Sequence, residues 1–322
     1  MRIGQNPAKA IESLPQPERV TVAVVTYIPF LSGYYAQSLE VLKICLGSLW
    51  ENTPEPHDLL IFDNASCPEV RKYLTGCLDE GRIQTLMLSN QNIGKGGAWN
   101  TVFQGAPGEV IAYTDSDVYF YPRWLTNSLE ILDAYPMVGM VTARPMRTPP
   151  AFYSSTLNWA QSNPDVLVEN ESFMSWETYH QHLASLGVDE HQAREWYDGG
   201  KDWRLTYRGI KAHIGAAHFQ FTALKSVLGQ FAPFAMSRPM GQVRTLDEQL
   251  NSAGFLRLGT CNPLVVHLGN STDTDFLAKH SQAAPSRTAA RGKRKARRWS
   301  DLPIVKKPLM KIYHAIFRMY HS

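Results

Sequence analysis

The stretch VIAYTDSDVYFYPRW, residues 110–124, decides how this chain is read. Apolar residues run straight into Asp115-Ser116-Asp117, and an aromatic run follows at once. Carboxylates beside a hydrophobic strand are costly unless water or a positive charge meets them. Either the pair sits in a solvated turn, or it holds a cation.

Working outward, strand and helix patterns alternate. VTVAVVTY (20–27) and DLLIFDN (58–64) are rich in β-branched and apolar residues and read as buried strands. IQTLMLS (83–89), EVIAYTD (109–115) and MVGMVTA (137–143) continue the series. Between them, residues 37–53, 67–80, 96–106 and 122–135 read as helices. In the first of these, Leu39, Leu42, Leu46 and Leu49 fall near helical spacing and Pro54 acts as a stop. Strands separated by helices with short links predict an α/β fold whose mostly parallel central sheet is covered on both faces. Beyond residue 144 the pattern changes. Two short helices are expected near 175–186 and 189–197, a strand at 217–224, a helix around 246–254 and a strand at 262–270. Four parts follow: a lead-in (1–19), a first half (20–145), a second half with a helical insertion (146–275) and a tail (276–322).

The 322 residues carry a net charge of +3, which hides an asymmetry. The last 44 residues bear 12 Lys/Arg and one acid, while the preceding 278 are net −8. Four cysteines without C-x-x-C spacing fit a reduced compartment and no structural zinc. No signal-peptide pattern and no membrane-length apolar run is seen, so a cytoplasmic protein is expected.

Ligands of open parallel sheets bind beyond the carboxyl ends of the strands. Three polar signals fall there: Thr26-Tyr27, Asp63-Asn64 and Asp115-Ser116-Asp117. An Asp-x-Asp turn can offer both carboxylates to one hard cation, and Mg²⁺ or Mn²⁺ takes such oxygens together with phosphate oxygens. That combination points to a nucleotide diphosphate. NQNIGKGGAWN (90–100) sets glycines before a helix, but it matches neither the P-loop nor the dinucleotide fingerprint.

VAVVTY, IFDNAS, SNQNIGKGGAWN and YTDSDVYFYPRW, in that order and spacing, resemble the nucleotide-sugar-binding half of family 2 glycosyltransferases. The resemblance covers residues 20–145 well and 212–270 more loosely, and implies the GT-A fold. It implies that Thr26 and Tyr27 line the base pocket and that Asp63 hydrogen-bonds the base or ribose. Asn92, Gly94 and Lys95 would contact the nucleotide or shape its loop. Asp115 and Asp117 would form the metal site around Mn²⁺ or Mg²⁺, with Ser116 between them. The donor would be a nucleotide-diphosphate sugar, a UDP-sugar foremost, and the acceptor a glycan or lipid-linked molecule, as in bacterial surface polysaccharide synthesis.

Inverting transfer needs a base that takes the acceptor's proton. The family places an acidic pair before a helix, and TLDEQLNSAGF (245–255) sits where that element belongs. Asp247 or Glu248 would serve, although Leu246 stands where the family often has Glu. The plainer alternative is Asp247 as a helix N-cap. His267, in VVHLGN, is either a core histidine or a third metal ligand. Trp159, Trp176, Trp196 and Trp203 could stack on acceptor sugars or simply pack. In the tail, RTAARGKRKARRWS (287–300) precedes a helical pattern with one apolar face, which reads as peripheral docking to an anionic membrane surface; the acidic body argues against nucleic acid. A retaining transferase, a nucleotidyltransferase and an inactive carbohydrate-binding protein are the rival readings.

Overall fold

The structure is a computed structural model and describes residues 13–237 and 240–271. The expected tail helix and basic run lie outside the described residues, as does most of the lead-in.

Strands β1 (Val20–Thr26), β2 (Asp58–Asn64), β3 (Thr85–Ser89) and β4 (Val110–Asp115) alternate with helices α1 (Ser38–Asn52), α2 (Pro68–Asp79) and α3 (Gly94–Gly105). A short β5 (Val118–Phe120), α4 (Trp124–Ala134) and β6 (Val138–Thr142) complete the first half. The second half holds α5 (Ser154–Ser162), β7 (Val166–Glu171), α6 (Trp176–Ser185), α7 (Glu190–Asp198), β8 (Asp202–Tyr207), β9 (Ile210–Ile214), β10 (Gln220–Leu224) and α8 (Lys225–Leu228). It closes with α9 (Gln242–Ser252), β11 (Leu256–Gly259) and β12 (Val265–His267).

Ten strands form one sheet in the order β3-β2-β1-β4-β10-β6-β11-β9-β8-β7. The ladders give seven strands one direction, and only β7, β9 and β10 run against it. β1 shows why the sequence reads as an unbroken apolar run: Val20, Val22 and Val24 pack with α1 residues such as Leu42 and Leu46, while Ala23 packs on the other face with Trp99 of α3. A strand covered on both faces has no polar side to alternate. Each fully buried Val or Leu contributes roughly 1.5–3 kcal/mol relative to exposure. On the second face, α9 lies close against β6: a Cβ on Gly139 would sit 2.8 Å from both Leu250 and Phe255, so only glycine fits.

The register sets the site. Thr26 pairs with Asp63, and Val25 with Asp115, so the three polar strand ends line up along one edge of the sheet. β10 enters antiparallel beside β4, and the Asp115 amide donates to the Phe219 carbonyl at 2.8 Å. Separately, β12 pairs with β5, placing His267 opposite Val118. The strand expected at 262–270 is therefore only three residues long and belongs to this small second sheet.

Candidate active site

At the aligned strand ends lies an open pocket of about 370 Å³. Its walls include Tyr27, Asn64, Asn92, Gly94, Lys95, Asp115, Ser116 and Asp117, with Val25, Tyr35, Tyr113 and Met240 completing it. Most of the residues singled out in the first half thus converge on one cavity. Two do not line it. Thr26 is buried and its Oγ1 has no hydrogen-bond partner. Asp63 is also fully buried: it accepts from the Ser66 amide at 3.1 Å and from Arg71 Nε at 3.0 Å, so its carboxylate holds the β2–α2 corner. Its neighbour Asn64 lines the pocket instead.

The loop before α3 is built by two asparagines. Asn92 Oδ1 accepts from the Gly94 amide at 2.8 Å and from Asn64 Nδ2 at 3.0 Å, and Asn64 Oδ1 accepts from the Ile93 amide at 2.9 Å. Gly94 has φ +70°, a left-handed conformation that suits glycine, and the helix starts there. The amino end of α3 and the Lys95 side chain both reach the pocket, a setting that favours anions.

Asp115 is held from both sides. Lys95 Nζ donates to its Oδ2 at 2.8 Å, and the Tyr113 hydroxyl donates to Oδ1 at 2.5 Å. Burial first, and then the Asp115 charge, push the Tyr113 phenol well above its ordinary pKa, so it stays a donor. Tyr113 lies two residues before Asp115 on the same strand face, a period-2 relation that the sequence displays. Asp117 differs. Its Oδ1 is buried without a hydrogen-bond partner, and its Oδ2 lies 3.3 Å from His267 Nε2. Burial opposes a charge on His267, yet Asp117 and Asp115 prevail and raise its pKa above the usual value.

Asp117 and His267 form an oxygen–nitrogen pair suited to a divalent cation, and the orphaned Asp117 oxygen is an acceptor in want of a positive partner. Asp115 is not part of that pair, because Lys95 and Tyr113 occupy it. Among the described residues no group of three or more His, Cys, Asp or Glu is arranged around a common point. Two protein ligands still fit Mg²⁺ or Mn²⁺, which keeps several positions for phosphate and water oxygens.

Asp247 and Glu248 separate clearly. Glu248 sits on the exposed side of α9, paired with Arg244 at 2.8 Å. Asp247 is buried: Arg257 Nη2 donates to its Oδ1 at 2.7 Å, and His218 Nδ1 lies 3.7 Å from its Oδ2. Since α9 begins at Gln242, Asp247 lies in mid-helix and is not an N-cap. His218 directly precedes Phe219, whose carbonyl accepts from the Asp115 amide, so one short segment links Asp247 to the end of β4, although Asp247 does not line the pocket. Sequence reasoning missed His218 and Arg257, which carry no local motif.

The aromatic residues of the insertion are largely engaged. Trp159 packs on Tyr135 and Tyr207, and Trp176 contacts His180 and Arg194, each about 4.9 Å away. Trp196 remains 48% exposed. Helix α6 packs beside β12, where Ser185 Oγ lies 2.9 Å from His267 Nδ1. Phe219 contacts both His182 and His267, and burial, with Arg144 nearby, lowers the His182 pKa to about 3. No helix among the described residues is long and apolar enough to cross a membrane.

Residues 34–183 match the family model described as Glycosyl transferase family 2. An uncharacterised glycosyltransferase of a Nostoc species is 27% identical over 100 residues, which is 31% of either chain. The succinoglycan biosynthesis protein ExoW of Rhizobium meliloti is 28% identical over 104 residues, 32% of this chain and 33% of that one. The matched part is about a third of the length of these curated relatives. Among solved structures, a mannosyltransferase from Pyrobaculum calidifontis in complex with GDP-Man and Mn²⁺ superposes with a TM-score of 0.45 at 16% identity, covering 76% of this chain and 55% of that one. S. aureus TarS in complex with UDP-GlcNAc gives a TM-score of 0.47 at 12% identity, covering 84% of this chain and 62% of that one. Asn64, Asn92, Gly94, Lys95 and the Asp115-Ser116-Asp117 turn therefore line one pocket and all lie within the stretch that is similar to Glycosyl transferase family 2.

Proposed function

We propose that the protein is a cation-dependent glycosyltransferase that takes a nucleotide-diphosphate sugar, a UDP-sugar foremost, and transfers the sugar with inversion to a glycan or lipid-linked acceptor. The observation that carries this reading is the pocket at the ends of β1, β2 and β4, lined together by Lys95, the amino end of α3 and Asp117, whose Oδ1 has no hydrogen-bond partner. A site with a cation, a helix amino end and a carboxylate set for a further cation suits a diphosphate better than a neutral ligand.

Each residue then has a task. Tyr27 and Tyr35, 6.2 Å apart between ring centres in edge-to-face contact, offer an aromatic wall for the base. Asn92 and Gly94 let the backbone approach the nucleotide. Lys95 neutralises phosphate oxygens, and Asp115 holds Lys95 in place. Asp117 and His267 would hold Mn²⁺ or Mg²⁺, which when bound offsets charge on the departing diphosphate. Asp247 accepts the proton of the acceptor hydroxyl, anchored by Arg257 with His218 beside it. The acceptor would belong to a surface polysaccharide pathway.

Calorimetric titration of UDP, GDP and dTDP with and without Mn²⁺ tests the donor site. Metal-enhanced binding of one diphosphate is expected. Absence of binding to all three by folded protein would refute the transferase reading.

A further inference from the structure

The last turn of α6 brings Ser185 onto the far side of His267. Its Oγ lies 2.6 Å from the His182 carbonyl and 2.9 Å from His267 Nδ1. A carbonyl oxygen only accepts, so the single hydroxyl proton of Ser185 is directed at His182. Toward His267 the same oxygen then has lone pairs alone, and the hydrogen in that contact must belong to Nδ1. A neutral imidazole protonated on Nδ1 carries its lone pair on Nε2. Nε2 is the nitrogen that stands 3.3 Å from Asp117 Oδ2.

We propose that Ser185 is a positioning residue that fixes His267 in its Nδ1–H tautomer and so presents the Nε2 lone pair to a divalent cation shared with Asp117. The inference rests on the cation site proposed above and extends it to the insertion helix. A helix serine that bonds its own i−3 carbonyl is common. Here that bond consumes the only hydroxyl donor, so Nδ1 keeps its proton, and a cation at Nε2 would replace the proton that Asp117 favours there. The helix is itself pinned, since Arg144 Nη2 donates to the Thr178 carbonyl at 2.8 Å and Phe219 packs against both histidines. Partners on the outer nitrogen of a ligating histidine commonly change metal affinity 10–100-fold.

The test is a titration of the full chain with Mn²⁺, following free Mn²⁺ by electron paramagnetic resonance, with folding checked by circular dichroism. Ser185→Ala is expected to bind Mn²⁺ roughly 10–100-fold more weakly than wild type. Ser185→Thr, which keeps both hydrogen bonds, is expected to restore binding to within about threefold. Equal affinity in wild type and Ser185→Ala, with binding lost in His267→Ala, would overturn this proposal and leave the cation site standing. No Mn²⁺ uptake by wild type would overturn both.

Discussion

Lys95 Nζ and Asp115 Oδ2 meet at 2.8 Å on the pocket wall, joining the loop before α3 to the end of β4. The side chains are 12% and 27% exposed, so this is a partly buried pair and not a loose surface contact. A diphosphate entering the pocket would meet a cation already oriented by its carboxylate. Lys95→Ala is expected to weaken UDP binding by about 1.5–3 kcal/mol, the value of a charge-assisted hydrogen bond, or roughly 10–100-fold in Kd. Calorimetry reads this directly. An unchanged Kd would mean that Lys95 only braces Asp115.

Asp117 and Asp115 should behave differently despite sharing a motif. Asp117 keeps a buried oxygen without a partner, whereas both oxygens of Asp115 are taken. Asp117→Asn is therefore expected to remove the Mn²⁺-dependent part of UDP binding and to lower kcat at least about 100-fold, close to 3 kcal/mol of transition-state stabilisation. Asp115→Asn should instead lower diphosphate affinity at every Mn²⁺ concentration through a misplaced Lys95. Titrating Mn²⁺ at fixed UDP separates the two. Identical Mn²⁺ dependence in both variants would contradict the division of labour.

Asp247 and Glu248 are adjacent in sequence and opposite in environment. Asp247→Asn leaves the fully buried Arg257 without its carboxylate, a loss expected to cost about 3–5 kcal/mol of stability and nearly all turnover. Glu248→Gln breaks only an exposed pair with Arg244 and should change stability by about 1 kcal/mol or less, with turnover intact. Pairing Asp247→Asn with Arg257→Met removes the stranded charge and should recover stability without recovering turnover. Recovery of both would show Asp247 to be a structural anchor only. Product-anomer NMR on the wild type settles inversion against retention.

The sheet and much of the pocket were legible in the sequence because β1, β2 and β4 are buried on both faces and end in polar residues at matched register. Apolar runs announce such strands, and their ends announce a site. The β7-β8-β9 meander was not legible. β7 is half-exposed with no regular alternation, and nothing local distinguishes it from loop. The start of α9 was misplaced because Gly241 precedes it, with φ +123° and no side-chain cap, so the usual signal was absent and Asp247 imitated one. Asp63 and Asn64 exchanged roles. Their side chains point to opposite faces of β2, and only the position of Arg71 reveals which face is closed. The meetings of His267 with Asp117 and with Ser185 of α6 depend on pairing between segments about 80 to 150 residues apart, which no local pattern encodes.

The histidines around Phe219 should give the protein an acid-sensitive stability. Burial, helped by the charges of Arg144, His267 and His218, lowers the His182 pKa from 6.5 to about 3. The unfolded chain therefore takes up a proton near pH 6.5 that the folded chain refuses, and stability falls as pH drops below 6.5 toward 3. The slope is about 1.4 kcal/mol per pH unit, or roughly 2 kcal/mol by pH 5. His267 has the opposite sign. Its raised pKa contributes stability that is fully present below 6.5 and lost as pH climbs through the folded value. Asp202, lowered below the usual carboxylate range by its partners His213 and Arg147 against the cost of burial, loses its contribution only below about pH 4, outside the window of interest. Urea unfolding at pH 5.0, 6.5 and 8.0 should thus give the highest midpoint near 6.5. In His182→Gln the fall from 6.5 to 5.0 should shrink by about 2 kcal/mol, while the change from 6.5 to 8.0 stays as in wild type. An undiminished acid-side fall in that variant would place the titrating group elsewhere.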